Sequence, residues 1–342
     1  MIENPHCKRD LETITAAINN ALPQLPNDTA YCVLLIGSWS LNLGTPTSDI
    51  DLLLVSEQRM GDRAELQAFQ RQAALTLGWV QIEIISCEEF GRLMAKAQLP
   101  TYTSLSSRTL ELIYKYACPR VLHGEDVFQQ LTRQFSLEDF SRRIADYYLS
   151  RSLNVYQDVL GARLSEDHRS AVIAARDLVG LAVDALLALR GDAYPKPKWR
   201  LKRAVRLELP PALMEAIDHC LVGGPGSASN PWQWVERALI LFRQLHALAN
   251  FPSASSLPFP ASNAPVIGNP WAFIVKANGK WLITHQDRFF EADEQDITML
   301  FGLAMGLSEN QAIALAEDTR EHNHSTASAG TSMQFLERIG AL

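Results

Sequence analysis

The chain has 342 residues, of which 47% are hydrophobic and 20% charged, and its formal net charge is −7. This composition excludes a disordered chain, and the acidic balance argues against a protein whose whole surface binds nucleic acid. The first twenty residues carry five charges, and no run of about 18 apolar residues occurs anywhere, so neither a signal peptide nor a membrane span is predicted. The five cysteines share no CxxC spacing, which favours a reduced, cytoplasmic protein.

Residues 1–130 alternate between two hydrophobic patterns, one typical of strands and one typical of helices. Helical periodicity and short apolar runs predict, in chain order, helix 11–22, strands 31–36 and 50–55, helix 62–77, strand 79–85, and helices 88–97 and 106–116. Strands separated by helices predict a compact α/β (α+β) domain with a short mixed sheet.

The rest of the chain divides into a helical part and a small mixed part. Residues 135–250 have long helical patterns and no convincing strand, which predicts a helical bundle domain. Residues 251–270 hold five prolines among serines and alanines, a composition typical of a linker. In residues 271–342, Asn278-Gly279 between two apolar runs predicts a hairpin, and helical patterns follow. We therefore expect a small C-terminal α+β domain.

Two aspartates begin the second predicted strand. Asp49 and Asp51 are two residues apart, and strand side chains alternate between faces, so both carboxylates are expected to project from the same face. Neighbouring carboxylates repel each other unless a cation lies between them. In sites of phosphoryl transfer that cation is usually a pair of divalent metals about 3.5–4 Å apart. The pattern therefore predicts a two-metal Mg²⁺ site.

Two further features accompany the aspartates. Gly37-Ser38 ends the preceding predicted strand, and glycine there permits phosphate oxygens to approach the backbone N–H groups and the serine hydroxyl. Glu83 is the only charged residue in the next predicted strand, where we expect it to be partly desolvated. It could complete the metal site or accept a proton from an attacking hydroxyl. Each signal is weak alone, but their order and spacing together favour nucleotidyl transfer.

A basic stretch near the middle of the chain is a second candidate for phosphate binding. Its six cationic residues surround Trp199, and two prolines hold its start extended. Lys196 and Lys198 are interpreted as triphosphate contacts. The arginines that follow fit a solvated helix face equally well.

The first motif resembles that of the polymerase-β-type nucleotidyltransferase superfamily, in which Gly-Ser is followed by Asp-x-Asp and a later strand carboxylate. Within that superfamily the chain is similar to the streptomycin/spectinomycin adenylyltransferases, the likeness resting on residues 37–51 and on Gly191-Asp-Ala-Tyr-Pro-Lys196. The resemblance implies that Asp49 and Asp51 bind magnesium, that Glu83 activates the acceptor hydroxyl and that Lys196 contacts ATP phosphates. Residues 271–342 have no counterpart in those enzymes.

The sequence leaves the acceptor open. The acidic composition favours a small hydroxylated molecule as acceptor, and the resemblance implies transfer of AMP from ATP to an acceptor similar to an aminoglycoside. The basic stretch keeps a macromolecular acceptor open, either a transfer RNA end or a protein side chain, as in nucleotidyltransferase toxins. A non-catalytic nucleotide-binding scaffold is a third hypothesis. It is disfavoured because all three carboxylates are present.

Overall fold

The computed structural model describes residues 10–25, 31–57, 63–226, 230–250, 269–277, 280–285, 288–305, 307–323, 329–338 and 341–342. The chain divides into two compact units. The first extends from the N-terminus to Phe140 and includes the short segment Tyr194–Lys196, and the second contains the remainder. The fold is α+β, with one mixed and one antiparallel sheet in the described residues. None of the described helices has the length and apolar character needed to cross a membrane.

The first unit is built on a four-stranded mixed sheet of order β3-β2-β1-β4. Its strands are β1 Tyr31–Ile36, β2 Ile50–Ser56, β3 Val80–Ser86 and β4 Arg120–His123. Strand β1 pairs antiparallel with β2 and β4, whereas β2 and β3 are parallel. The two central strands are almost entirely buried, as their continuous apolar sequences require.

Helices of the first unit flank and connect these strands. They are α1 Leu11–Ala21, α2 Gly37–Ser40, α3 Arg63–Leu77, α4 Cys87–Lys96, α5 Ser107–Ala117 and α6 Glu125–Thr132. The apolar stripes of α1 and α3 pack on β1 and β2 to form one core, with Ile14, Ile18 and Phe69 fully buried. Side-chain caps mark helix starts: Ser106, for example, accepts a hydrogen bond from the Thr109 N–H at 3.1 Å.

The second unit begins with long and short helices, and the chain passes into it after Phe140, in the first turn of α7. These helices are α7 Leu137–Leu164, α8 His168–Leu189, α9 Arg200–Ala204, α10 Pro211–Asp218 and α11 Pro231–Asn250. Asp167 caps α8 by accepting hydrogen bonds from two backbone N–H groups, Arg169 and Ser170. Apolar side chains of α7, α8 and α11 share one core.

The C-terminal segment, which the sequence predicts as a small α+β domain, belongs to the same compact unit as these helices. Its antiparallel sheet comprises β5 Phe273–Ala277, β6 Lys280–His285 and β7 Arg288–Ala292, followed by helices α12 Glu294–Ala304, α13 Glu309–Asn323 and α14 Ala329–Arg338. Trp271, Phe273 and Val275 enter the core formed by α8 and α11. The reason is hydrophobic: β5 has three consecutive apolar residues that are buried on both of its faces, and α11 is apolar on more than one face. The predicted turn Asn278-Gly279 and linker residues 251–268 lie outside the described residues.

Candidate active site

Gly37 ends β1 at a point where only glycine fits. Its φ of +76° lies in the left-handed region that other residues rarely adopt. A Cβ atom built on Gly37 would lie 2.5 Å from Oδ2 of Asp51 and 3.4 Å from Cε of Lys115. The Asp51 carboxylate is therefore held directly against the Gly37 backbone. The sequence singled out this glycine, and the structure supplies the steric reason for it.

The loop between β1 and β2 is held by local contacts that place Asp49. A Cβ atom on Gly44 would lie 2.5 Å from the indole of Trp39, and that indole N–H points to the Ser48 carbonyl at 3.4 Å. The Thr45 N–H donates to Ser48 Oγ at 3.0 Å, which closes a turn just before Asp49. The run of glycine, threonine and serine that the sequence analysis interpreted as a turn thus packs on a buried tryptophan.

Asp49 and Asp51 differ in environment. Asp51 is the second residue of β2, is registered opposite Ile36 of β1 and has a partly buried side chain. Asp49 lies one residue before β2 begins and is exposed. The sequence predicted that both project from the same strand face, but Asp49 is outside the strand. Their closeness along the chain still leaves both carboxylates at the entry of the strand.

Glu83 lies on β3, the edge strand of the sheet. The parallel register places Gln81 beside Asp51 and Glu83 beside Leu53, so Asp51, Gln81 and Glu83 lie on one face of the sheet. Glu83 is exposed, contrary to the partial desolvation that the sequence predicted. The physical reason is that an edge strand has a neighbouring strand on one side only. The apolar residues that flank Glu83 in the sequence therefore do not ensure that Glu83 itself is buried.

A buried tyrosine holds the Glu83 carboxylate. Tyr116, near the end of α5, donates a side-chain hydrogen bond to Glu83. Burial, that hydrogen bond and the charge of Glu83 all raise the pKa of Tyr116 well above its usual range, so the phenol remains protonated and acts as a donor. The Tyr116 ring stacks on Phe90 of α4 at 6.2 Å between centroids. This packing orients the donor.

Helix α5 also contributes charges. Glu111 is buried, and its Oε1 lies 2.7 Å from Lys196 Nζ, 3.2 Å from the Arg108 guanidinium and 3.8 Å from Lys115 Nζ. Lys115 Nζ is in turn 4.0 Å from Asp51 Oδ2. Burial raises the pKa of Glu111, but the hydrogen bond from Lys196 and the charges of Lys115 and Arg108 outweigh it, so the pKa lies below its ordinary value. We call Arg108, Glu111, Lys115 and Lys196 the α5 charge cluster.

The predicted phosphate lysines have different positions. Lys196 belongs to the first unit, where the ring of the nearby Tyr194 stacks on Tyr114 of α5 at 5.6 Å. That stacking explains how a residue distant in sequence reaches Glu111. Lys198 belongs to the second unit, where it is exposed and its Nζ lies 4.9 Å from the Trp199 ring centroid.

Two arginines of the basic stretch are structural. Arg203 is buried and pairs with Asp192 at 2.9 Å, whereas Arg200 pairs with buried Asp184 at 2.6 Å. Neither forms the solvated face considered from the sequence. The sequence pattern of the basic stretch could not show these ion pairs, because the acidic partners come from α8 and from the residues that follow it.

Carboxylate oxygens are the ligands that Mg²⁺ prefers, and such ions are commonly bound by one or two carboxylates together with substrate phosphates. Asp49 and Asp51 fit that mode. The cradle at Gly37 admits the Asp51 carboxylate, and a cation, the Lys115 ammonium, already lies close to it. Within the described ranges, no three histidine, cysteine or acidic side chains are grouped so that they could hold a metal ion. Glu83 as a third metal ligand stays a prediction.

A cavity of about 430 Å³ lies elsewhere, between α3 and the start of β3. Its lining contains neither the carboxylates nor the α5 charge cluster. The lining residues are Gln67, Gln70, Arg71, Ala74, Gly78, Trp79 and Val80. The carboxylates and the α5 charge cluster, rather than this cavity, define the candidate site.

Sequence reasoning missed Glu111, Lys115 and Tyr116. One signal was present, because Glu111 and Lys115 are opposite charges four residues apart within a helical apolar pattern. Such a pair is usually a solvated surface contact. Only the tertiary contacts with Asp51 and Lys196 distinguish the Glu111–Lys115 pair from such a surface contact.

Comparison with known proteins adds no family to this picture. No family model matches the chain, and the curated proteins contain no match to it. The chemistry of the site itself therefore carries the functional conclusion.

Proposed function

We propose that this protein is a metal-dependent nucleotidyltransferase that moves a nucleoside monophosphate, AMP from ATP, onto a hydroxyl group of a small-molecule acceptor. The observation that carries the proposal is the contact between Gly37 and Asp51. A left-handed glycine at a strand end holds a carboxylate against the backbone, and a lysine ammonium lies beside both. The motif resemblance and the Glu83–Tyr116 hydrogen bond support the same chemistry.

Each residue has a distinct task in this reaction. Asp49 and Asp51 would hold magnesium together with the triphosphate, and the bound ion would stabilise the charge that develops on the phosphate oxygens. Gly37 and Ser38 lie next to Asp51 and offer backbone N–H groups and a hydroxyl to phosphate oxygens.

Glu83 accepts the proton of the acceptor hydroxyl. The hydroxyl oxygen forms a bond to the α-phosphorus, the bond from that phosphorus to the bridging oxygen breaks, and pyrophosphate leaves. Exposure of Glu83 on the edge strand gives an acceptor access to it, and the Tyr116 hydrogen bond fixes its orientation. Tyr116 is thus a positioning residue.

The first test measures binding and transfer separately. Wild-type protein is incubated with magnesium and ATP labelled at the α-phosphate, against aminoglycosides, other hydroxylated small molecules, transfer RNA and candidate proteins. We expect label on a small molecule, with loss of transfer of about 10²–10⁴-fold in Glu83→Gln and little change in its MgATP affinity by calorimetry. Asp51→Asn should lose both MgATP binding and transfer.

Glu88→Gln is the matched control, because Glu88 is an exposed carboxylate on α4 of the same unit. If label appeared only on RNA or only on protein, the acceptor would be that macromolecule and not a small molecule. MgATP binding without transfer to any acceptor would favour the scaffold hypothesis. Wild-type transfer by both Asp51→Asn and Glu83→Gln would refute the proposed site.

A further inference from the structure

We propose that the α5 charge cluster is the polyphosphate subsite of the protein, with Lys115 as its inner ligand and Lys196 and Arg108 as its outer ligands. This inference rests on the proposed function, and it adds two cations that the sequence motif did not indicate. It also gives Glu111 a task, which is to hold these cations in place when no nucleotide is bound.

The cluster has more positive than negative charge. Three cations, Arg108, Lys115 and Lys196, converge on one oxygen of Glu111, and Asp51 is the other carboxylate in contact with Lys115. Like charges held this close repel each other, and the two carboxylates compensate only two of the three. A polyanion that entered among the three cations would relieve that repulsion. A simple structural ion pair would need only one cation.

Exposure of the cations is graded along the cluster. The Lys115 side chain is 13% exposed, that of Lys196 32% and that of Arg108 61%. Lys115 is also the member that touches the Gly37–Asp51 contact. The cluster therefore leads from solvent to the carboxylate at which the reaction is proposed to occur. A polyphosphate fits these three cations better than a single phosphate, because it offers several negatively charged oxygens along its length.

The test uses inorganic tripolyphosphate in the presence of EDTA, which separates this subsite from the metal and from the nucleoside. Calorimetry on the full-length chain should show binding that falls at least ~10-fold in Lys115→Met, because a charge-assisted phosphate contact is lost. Lys115→Arg should recover most of the affinity. Lys196→Met should also weaken binding. Arg108→Met should have the smallest effect, since its exposed charge is screened by solvent.

Lys96→Met is the control, because Lys96 is an exposed lysine on α4 of the same unit. Thermal unfolding of each variant distinguishes a lost ligand from a lost fold. Arg108 and Lys196 are exposed enough for their variants to fold even if Lys115→Met does not. Tripolyphosphate affinity that is unchanged in Lys115→Met, Lys196→Met and Arg108→Met alike would overturn the inference.

The two proposals fail in different ways. If wild type binds tripolyphosphate through Lys115 but transfers no nucleotide, the subsite stands and nucleotidyl transfer falls. If wild type transfers nucleotide while the lysine variants bind tripolyphosphate and ATP normally, the subsite falls and the transferase stands.

Discussion

Gly37 is fixed by two independent constraints, its backbone angle and the carboxylate beside it. The left-handed φ disfavours any side chain, and the 2.5 Å approach of Asp51 Oδ2 leaves no room for one. The same residue thus ends β1, admits Asp51 and brings Lys115 close to both. A glycine in a turn is common, but a glycine whose missing side chain is replaced by a carboxylate indicates a site.

We expect Gly37→Ala to destabilise the fold by about 2–3 kcal/mol, from left-handed strain and overpacking against Asp51. Any displacement of Asp51 should also weaken MgATP binding. Urea unfolding at neutral pH measures the first effect, and calorimetry measures the second.

Gly91→Ala provides the contrast. Gly91 lies inside α4, and a Cβ atom there would meet nothing within 4 Å. Alanine in a helix interior should raise the free energy of unfolding by up to about 1 kcal/mol. If both variants change stability by the same amount and sign, the steric account of Gly37 is wrong.

Helix α5 is the element on which the candidate site depends most. Its buried side carries Glu111, Tyr114 and Tyr116, which reach Lys196, Tyr194 and Glu83 respectively. Glu111 and Tyr114 are three positions apart and lie on neighbouring parts of one face, whereas Tyr116, two positions further on, points away from Tyr114 and meets β3 instead. One helix therefore positions the proposed base and the proposed phosphate lysines together.

We expect Glu111→Gln to lower the free energy of unfolding at pH 7 by about 1–3 kcal/mol, because Lys115 and Lys196, which are largely shielded from solvent, lose this carboxylate. The pKa of Glu111 is lowered in the folded protein, so its ionisation stabilises the fold above the unfolded-state pKa near 4.5. That stabilisation is lost as pH falls through the folded-state pKa. The difference between wild type and Glu111→Gln should accordingly shrink from pH 5 towards pH 3 in urea titrations.

Glu88→Gln is again the control, here for the effect of Glu111→Gln on stability. Glu88 pairs with Arg92 at 3.8 Å, but both side chains are largely exposed, so the pair should contribute little. If the difference in unfolding free energy between wild type and Glu111→Gln stayed constant with pH, ionisation of the Glu111 carboxylate would not stabilise the fold.

At the scale of the whole molecule, buried side chains of the second unit connect helix α11 to the C-terminal segment. His246 of α11 is buried among the rings of Phe242, Trp281 and Phe301, which belong to α11, β6 and α12. Burial, with a smaller contribution from the charge of Lys276, lowers the pKa of His246 to about 3. The imidazole is therefore neutral in the folded protein at ordinary pH.

This predicts an acid-sensitive second unit. The unfolded chain binds a proton at His246 near pH 6.5, whereas the folded chain does not, so stability falls as pH drops below 6.5 towards 3. Between pH 7 and pH 5 we expect His246 to cost wild type about 2 kcal/mol, and His246→Phe to be free of that loss. Unfolding curves at the two pH values measure it. The exposed His219 is the control, and equal pH slopes in wild type and His246→Phe would contradict the prediction.

The sequence by itself determined the local elements and the residues of the first motif. Periodicity located α1, β1, β2, α3, β3, α4 and α5 to within a few residues, because each pattern reflects which side chains must leave water. It missed α2, β4, α6, α10, β7 and α14, which are short or weakly patterned. It also singled out Gly37, Asp51 and Glu83 before any contact was known.

Only the tertiary structure decided register, partnership and domain grouping. Pairing of β2 with β3 placed Gln81 beside Asp51, and the edge position of β3 left Glu83 exposed. Stacking of Tyr194 on Tyr114 brought Lys196 to Glu111, and Phe273 packs in the core around α11. These outcomes depend on contacts between residues far apart in the chain, whereas hydrophobic periodicity records only the local alternation of buried and exposed positions.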